Sequence, residues 1–256
     1  MRNIKLENFK RLVCMNQKEL KKYMYSFLVE YYGVRNVYSE EGFIFVKGDL
    51  PVTLVAHLDT VHEVQVSEDT IVVNDNIISS PVGIGGDDRC GVYAIKKLVE
   101  LDLKPTIVLT EDEEIGCIGA RKFSKNHQYL RHIKECNFIV ELDRKGRNDA
   151  VFYDCHNEFF KDYIISRGWE YNTGSCSDIC YIAPITNVAA VNLSVGYYNA
   201  HTKNEYVNFD DLEETILRVK DLLNEQRRIF RRFKFHNNPE DFIETIKSYK
   251  ENFHKL

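Results

Sequence analysis

The sequence lacks three features that would each point to a different class of protein. No uninterrupted apolar run reaches the about 20 residues that a membrane-spanning helix needs. The net charge of -5 gives no electrostatic attraction to nucleic acid. Charged side chains interrupt the opening residues, so no secretory apolar segment follows Met1. We therefore expect no membrane partner and no nucleic-acid partner.

The cysteines lack the spacing of a disulfide framework or of a structural zinc site. There are seven, at positions 14, 90, 117, 136, 155, 176 and 180. Neither Cys155-His156 nor the pair Cys176 and Cys180 provides the two matched ligand pairs of a structural zinc site. Reduced thiols are typical of cytoplasmic proteins, so we expect a cytoplasmic location.

Length and patterning indicate one folded domain. The 256 residues can bury one substantial core, and no repeat or low-complexity linker divides them. We expect a single domain over residues 1–256, with its core over about 15–230 and a C-terminal helical extension over about 231–256. The locally basic residues 227–234 are typical of a solvated helix face.

Four mostly apolar segments have the pattern of strands buried on both faces. They are residues 51–56, 105–110, 138–143 and 188–193. Helical patterns occur at about 88–101, 119–124, 129–133, 157–167 and 210–230, and a further helix capped by Asn16 precedes them. This alternation predicts an α/β fold, a three-layer sandwich around a mostly parallel or mixed central sheet.

Acidic and histidine side chains follow the ends of these four segments. In chain order they are His57 and Asp59, Glu113 and Glu114, Asp143, and His201. In open α/β sheets ligand sites form beyond the carboxyl ends of the strands, so we expect these side chains to converge at one rim. Asp87 and Asp88, on a glycine-rich turn where a helix begins, would meet them there.

Two histidines and three carboxylates suit a pair of divalent cations such as zinc, with cobalt or manganese as alternatives. Such a pair can share one carboxylate and hold a water whose pKa falls. An unligated carboxylate then passes the proton of the water to a leaving amine. Each cluster alone is more typical of an ordinary turn, helix cap or surface pair. The ordered series at strand ends is what favours a metal centre.

The series resembles the motifs of the co-catalytic metallopeptidases, the M20, M28 and M42 families, which share a phosphorylase/hydrolase-like α/β core. The matching segments, in the same order, are residues 56–61, 86–91, 110–116, 141–143 and 200–207. Residues 174–178 also resemble a Gly-x-x-Asp segment of the M28 and M42 families. The likeness covers about residues 52–223.

Carried over position by position, the resemblance implies a dinuclear zinc centre. One ion would be bound by His57, Asp87 and Asp143. The other would be bound by Asp87, Glu114 and His201. Asp87 would therefore bridge the two ions.

The resemblance also implies supporting roles. Glu113 would be the general base, and Asp59 would orient His57. Asp88 would support the loop, paired with Arg89.

The motifs identify fewer candidates for residues that contact the substrate. Asp178 ends residues 174–178, which resemble the Gly-x-x-Asp segment with one more residue between the glycine and the aspartate. Tyr198 or Tyr197, shortly before His201, would offer a hydroxyl to the oxyanion. The alternative is an ordinary core or surface tyrosine.

Two domains of the larger relatives have no room in this chain. Only 57 residues lie between Asp143 and His201, too few for the lid and dimerisation domain of M20 enzymes. Only 27 lie between Asp59 and Asp87, too few for the inserted β domain of M42 enzymes. We expect a catalytic domain alone, with its oligomeric state open.

The resemblance implies an aminopeptidase acting on short peptides. The alternative enzyme is a deacylase of N-acyl amino acids that uses the same metals. A third alternative is a non-catalytic binding or scaffold protein with the same fold. The full set of predicted ligands and Glu113 favour an enzyme.

Overall fold

The computed structural model describes residues 2–227, 231–238, 240 and 244. The helices are Arg2–Val13 (α1), Gln17–Tyr32 (α2), Gly86–Glu100 (α3), Ile118–Phe123 (α4), His127–Ile133 (α5), Glu158–Ile165 (α6), Ile179–Thr186 (α7) and Phe209–Gln226 (α8). The strands are Val37–Glu40 (β1), Phe43–Val46 (β2), Leu50–His57 (β3), Val72–Asn74 (β4), Ile77–Ser79 (β5), Pro105–Thr110 (β6), Phe138–Arg144 (β7), Asp149–Val151 (β8), Glu170–Asn172 (β9), Ala190–Ser194 (β10), Tyr197–Tyr198 (β11) and Tyr206–Asn208 (β12). Within the described residues, no helix is both long and apolar enough to span a membrane.

The central sheet has eight strands in the order β1-β2-β6-β3-β7-β10-β8-β9. Its middle strands, β6, β3, β7 and β10, run parallel to one another. They correspond to the four apolar segments of the sequence. Antiparallel pairing joins β1 to β2, β2 to β6, and β8 to β10. The predicted mixed sheet with a parallel centre is confirmed.

Helices cover both faces of this sheet. Leu54 and Ala56 of β3 belong to a core shared with α1, α2, α3, α6 and α8. Val55, between them, belongs to a second core shared with α4, α5 and α7. Successive strand side chains point to opposite faces, so a strand packed on both sides is mostly apolar along its whole length. The predicted three-layer sandwich is confirmed.

Helix α2 begins where the sequence predicts. The Asn16 side chain accepts the Glu19 N–H, and the Glu19 carboxylate accepts the Asn16 N–H, each at 3.0 Å. This reciprocal capping box satisfies two donors at the helix start. The first residue, Gln17, also donates its side-chain amide to Asp112 at 2.9 Å. The start of α2 is thereby attached to the loop that follows β6.

A second, four-stranded antiparallel sheet has the order β11-β12-β5-β4. Strands β4 and β5 form a hairpin, and β12 pairs with β5 so that Val207 lies opposite Ile78. Strands β11 and β12 flank the loop that carries His201. The small sheet therefore supports the segment that closes the site.

The C-terminal part differs from the predicted helical extension. Residues 231–238 contain no helix. The Phe233 N–H donates to the Asn137 carbonyl oxygen at 2.8 Å, and the Ala189 N–H donates to the Phe233 carbonyl oxygen at 3.1 Å. Phe233 and Phe235 alternate with Arg232 and Lys234, a period of two that is typical of an extended chain. Residues 240 and 244 are helical, and the rest of the predicted extension beyond residue 238 lies outside the described residues.

Candidate metal centre

The predicted site residues come together at the carboxyl edge of the parallel strands. His57 ends β3, Glu113 and Glu114 follow β6, Asp143 lies near the end of β7, Asp87 lies at the start of α3, and His201 lies between β11 and β12. Parallel strands deliver their carboxyl ends to one edge, so positions far apart in the chain become neighbours there.

His57, Asp87 and Asp143 form one group. His57 Nε2 lies 3.1 Å from Asp87 Oδ1 and 3.4 Å from Asp143 Oδ1. The His57 side chain is 1% exposed and those of Asp87 and Asp143 are nearly buried. These are the three residues that the resemblance assigns to one ion.

His201 completes a second group around the same aspartate. His201 Nε2 lies 3.0 Å from Asp87 Oδ2 and 3.2 Å from Glu114 Oε2. The two oxygens of Asp87 thus face different histidines, which is the arrangement that a bridging carboxylate requires. The His201 side chain is 56% exposed, so the second group lies on the open side.

Asp59 connects the two halves of the centre. Its Oδ1 lies 3.2 Å from His57 Nδ1 and accepts the Glu113 N–H at 3.0 Å. Its Oδ2 accepts the Glu114 N–H at 3.0 Å. The contact predicted between Asp59 and His57 is present. The same carboxylate also holds the turn that carries Glu113 and Glu114, here called the Glu-Glu turn. It therefore positions more residues of the centre than the sequence indicates.

Asp88 and Arg89 support the loop without pairing in the way that the resemblance implies. The buried Asp88 carboxylate accepts the His57 N–H at 3.2 Å and the Gly91 N–H at 2.8 Å. The buried Arg89 guanidinium donates to backbone carbonyl oxygens, to Leu58 at 2.6 Å among others. Adjacent residues at a helix start point in different directions, which is why these two side chains find separate partners.

The tyrosine at the centre is Tyr197. Its hydroxyl donates to the Asp143 carbonyl oxygen at 3.1 Å and lies 3.4 Å from Asp143 Oδ1. The Tyr198 hydroxyl, the other candidate, donates to Asp211 Oδ2 on α8 at 2.6 Å. Successive side chains of a strand face opposite sides, and β11 can therefore turn only one of the two inward.

Asp178 lies at the start of α7, where it accepts the Thr110 hydroxyl. It is 1% exposed, and burial raises its pKa to about 7. It is a buried neighbour of Glu113, with one ligand atom of each within 4.8 Å of the other.

Sequence reasoning missed Glu205, which holds the glycine turn (residues 83–86, before Asp87) in place. This carboxylate is fully buried. Its Oε1 accepts the Asp87 N–H at 3.0 Å, and its Oε2 accepts the Gly85 N–H at 2.8 Å. Oε2 also lies 2.7 Å from His62 Nε2. The signal in the sequence was an acid inside the last motif, directly before strand β12.

The electrostatics of the cluster fit two divalent cations. Burial raises the pKa of Asp143, and the charge of Asp87 raises it further. Burial and repulsion from Asp87 raise the pKa of Glu114 to about 7. Glu114 Oε1 is buried with no hydrogen-bond partner. Cations would offset the repulsion and satisfy this oxygen, and imidazole and carboxylate are ligands that zinc accepts.

Two cavities adjoin the cluster. One, of about 240 Å³, is lined by Asp87, Glu113 and Asp143, and by the cations Arg144 and Lys145. The other, of about 520 Å³, lies beyond Asp59 and Glu114 and is bounded by residues 60–66 and the start of α2. A small ligand entering the first cavity reaches the carboxylates that surround Asp87.

No protein-family model matches this sequence, and no curated protein matches it. Solved structures do match. A tripeptidase from Staphylococcus aureus subsp. aureus Mu50 is 16% identical with a TM-score of 0.69, over 88% of this chain and 98% of that chain. Aminopeptidase PepT from Bacillus cereus ATCC 10987 is 14% identical with a TM-score of 0.68, over 88% and 98%. An aminopeptidase from the archaeon Desulfurococcus kamchatkensis is 15% identical with a TM-score of 0.65, over 88% and 95%.

These similarities establish the fold. The chain has the α/β architecture of these aminopeptidases, and the peptidase-type fold that the motifs indicate is confirmed.

Proposed function

We propose that this protein is a dinuclear metal-dependent aminopeptidase that hydrolyses short peptides. The observation that carries this function is the position of Asp87. One of its oxygens faces His57 and the other faces His201, at 3.1 and 3.0 Å. The shared fold of the aminopeptidases supports the same conclusion.

Five residues would hold the two ions, which we propose are zinc, with cobalt or manganese as substitutes. His57, Asp87 and Asp143 would hold one. Asp87, Glu114 and His201 would hold the other. When bound, the ions would polarise the scissile carbonyl and lower the pKa of a water.

Glu113 is the proposed general base. Its N–H is held by Asp59 at 3.0 Å, and its side chain lines the smaller cavity together with Asp87 and Asp143. From there its carboxylate takes a proton from the attacking water and delivers it to the leaving nitrogen. Asp59 itself is a positioning residue, because both of its oxygens are engaged by His57 and the Glu-Glu turn.

The cations of the smaller cavity support a short substrate with a free carboxylate. Arg144 and Lys145 directly follow Asp143 and line this cavity. The Arg144 guanidinium is paired with Asp149, whose Oδ2 lies 3.4 Å from Nε. A guanidinium or an ammonium that lines a cavity is well suited to the carboxylate of a substrate. This feature also favours the second candidate, a deacylase of N-acyl amino acids, because those substrates carry the same group.

A substrate panel tests the assignment. The zinc-reconstituted protein is incubated with di- and tripeptides with free amino termini, with their N-acetylated forms, and with N-acyl amino acids. We expect hydrolysis of the free peptides. Hydrolysis of blocked amines alone would establish the deacylase. No hydrolysis by protein that binds two ions would favour a non-catalytic binding protein.

The base is tested by Glu113→Gln. The amide cannot accept the proton, so we expect turnover to fall by about 10²–10⁴-fold while both ions remain bound. Steady-state kinetics and metal analysis on the same preparation measure the two effects. The matched control is Glu41→Gln, at an exposed acid, and it should retain wild-type turnover. Normal hydrolysis by Glu113→Gln would assign the base elsewhere.

We further propose a cytoplasmic location and a single catalytic domain over residues 1–256 with no lid or dimerisation domain. The seven free cysteines support the location, because reduced thiols are typical of that compartment. The short spacings on both sides of the glycine turn support the domain assignment.

A further inference from the structure

A second cluster of metal-binding side chains lies beside the proposed base. Glu113, Cys117 and Asp178 each offer one ligand atom, and these three atoms lie within 4.8 Å of one another. Cys117 Sγ lies 3.4 Å from Glu113 Oε1. Cys117 and Asp178 have no part in the dinuclear centre, so the cluster would be a separate site that shares only Glu113, the proposed base, with that centre.

The fold holds the three side chains together from two directions. Glu113 and Cys117 lie on one tight turn, closed by the Cys117 N–H donating to the Glu113 carbonyl oxygen at 2.8 Å. Cys117 has a φ of 53° and directly precedes α4. Asp178 approaches from the start of α7, where the Thr110 hydroxyl holds one of its oxygens. The turn before α4 therefore holds Glu113 and Cys117, and the start of α7 holds Asp178.

One oxygen of Asp178 has no partner. Asp178 is 1% exposed, and its Oδ1 has neither a hydrogen bond nor contact with solvent. A buried carboxylate oxygen without a donor is costly, and a bound cation would offset that cost. Glu113, by contrast, lines the smaller cavity, which gives an ion a route to the cluster.

The ligand types select the kind of ion. Two carboxylates and a thiolate are a set that zinc accepts, with a fourth position left for water. Calcium and magnesium favour oxygen ligands alone, so the sulfur selects against them.

We propose that Glu113, Cys117 and Asp178 form a third, inhibitory site for zinc or another divalent ion with affinity for sulfur. Binding replaces the thiol proton of Cys117, which passes to solvent, with a metal–sulfur bond. The ion also engages the Glu113 carboxylate, which then cannot accept a proton from water. Inhibition rests on the proposed function, whereas binding at the third site does not.

Cobalt detects this site without any measurement of activity. The ligands proposed for the dinuclear centre contain no sulfur, so a thiolate-to-cobalt charge-transfer absorption can come only from an ion bound to a cysteine. We expect a third equivalent of cobalt to produce that absorption in the wild-type protein. Cys117→Ser and Cys117→Ala should abolish it. The matched control, Cys176→Ser, changes a cysteine that lines the smaller cavity and should keep it.

Excess zinc tests the inhibition. Each variant is compared with its own activity at two equivalents of zinc. We expect further zinc to inhibit the wild type. Cys117→Ser should raise the inhibitory zinc concentration by about tenfold or more, since even outer partners of a metal contribute that much to affinity.

The outcomes separate the two proposals. If no substrate is hydrolysed but the third equivalent binds through Cys117, the site stands and the proposed function fails. If the wild type binds only two equivalents, or if the cobalt absorption survives Cys117→Ser and Cys117→Ala, the third site is overturned. Inhibition that is equally strong in the wild type and Cys117→Ser would overturn its inhibitory role.

Discussion

At the scale of single residues, Asp59 determines how the two halves of the centre meet. Its carboxylate lies beside the ring of His57 and accepts the N–H groups of Glu113 and Glu114. An imidazole ligand needs its second nitrogen held so that the first points at the metal. Here the group that does this also positions the base and one ligand of the other ion.

Asp59→Asn is expected to weaken metal binding by about 10–100-fold. The amide NH₂ would face either an N–H of the Glu-Glu turn or the His57 ring, replacing an acceptor with a donor. Competition with a chromogenic chelator measures the change. Glu63→Gln, at an exposed acid on the same loop, is the control and should bind metal as the wild type does. Unchanged affinity in Asp59→Asn would show that the carboxylate does not position the ligands.

The two tyrosines show what residue-level reasoning could and could not reach. The sequence places a tyrosine shortly before His201, and one does lie at the centre. The choice between Tyr197 and Tyr198 depends on which face of β11 packs inward. That depends on pairing with β12, where Tyr197 lies opposite Val207. No local pattern encodes it.

At the scale of elements, the turn before α3 depends on close packing. A Cβ on Gly86 would lie 2.7 Å from a methyl of Val207 and 2.8 Å from Cβ of Tyr197. A Cβ on Gly91 would lie 2.0 Å from the Leu142 carbonyl oxygen. The glycines let the turn and α3 approach β7 and the small sheet. That approach brings Asp87 to His57 and His201.

Glu205→Gln is expected to loosen this turn. Its amide NH₂ would face the N–H of Gly85 or Asp87, leaving a buried donor unsatisfied. We expect stability to fall by about 1–3 kcal/mol, together with a lower affinity for metal because Asp87 is no longer held. Urea unfolding with and without zinc measures both effects. Glu135→Gln, at an exposed acid, should unfold as the wild type does; the same result for Glu205→Gln would contradict its positioning role.

Helix α7 shows why one element was not predicted. Pro184 lies inside it and removes a backbone donor, which normally argues against a helix. The helix nevertheless forms because Ile179, Ile182 and Ala183 are buried in the second core. Tertiary packing outweighs the local preference, and it places Asp178 beside the Glu-Glu turn.

At the scale of the whole molecule, the segment after α8 closes the core. The ring of Phe233 lies 6.2 Å from that of Phe138, 5.1 Å from that of Phe160 and 5.4 Å from that of Tyr163. Its backbone bridges Asn137 and Ala189. The segment therefore ties β7, α6 and β10 together, and it belongs to the folded domain.

Phe233→Ala is expected to lower the free energy of unfolding by about 3–5 kcal/mol, because a buried aromatic ring is lost and a cavity remains. Urea denaturation followed by circular dichroism measures it. Leu217→Ala is the control, since Leu217 is 56% exposed on α8 and should change stability by about 0.5 kcal/mol or less. Equal midpoints for the two variants would mean that the segment does not contribute to the core.

The sequence by itself determined the layered fold and the approximate position of the site. A strand buried on both faces is mostly apolar, so the parallel centre is encoded locally. The acids and histidines at or after the ends of these strands can also be read directly from the sequence, and they mark the position of the site. Only the tertiary structure decided that the two oxygens of Asp87 face different histidines, that Glu205 holds its turn, and that Cys117 meets Asp178. These relations join residues far apart in the chain, and they arise from how strands, helices and loops pack against one another.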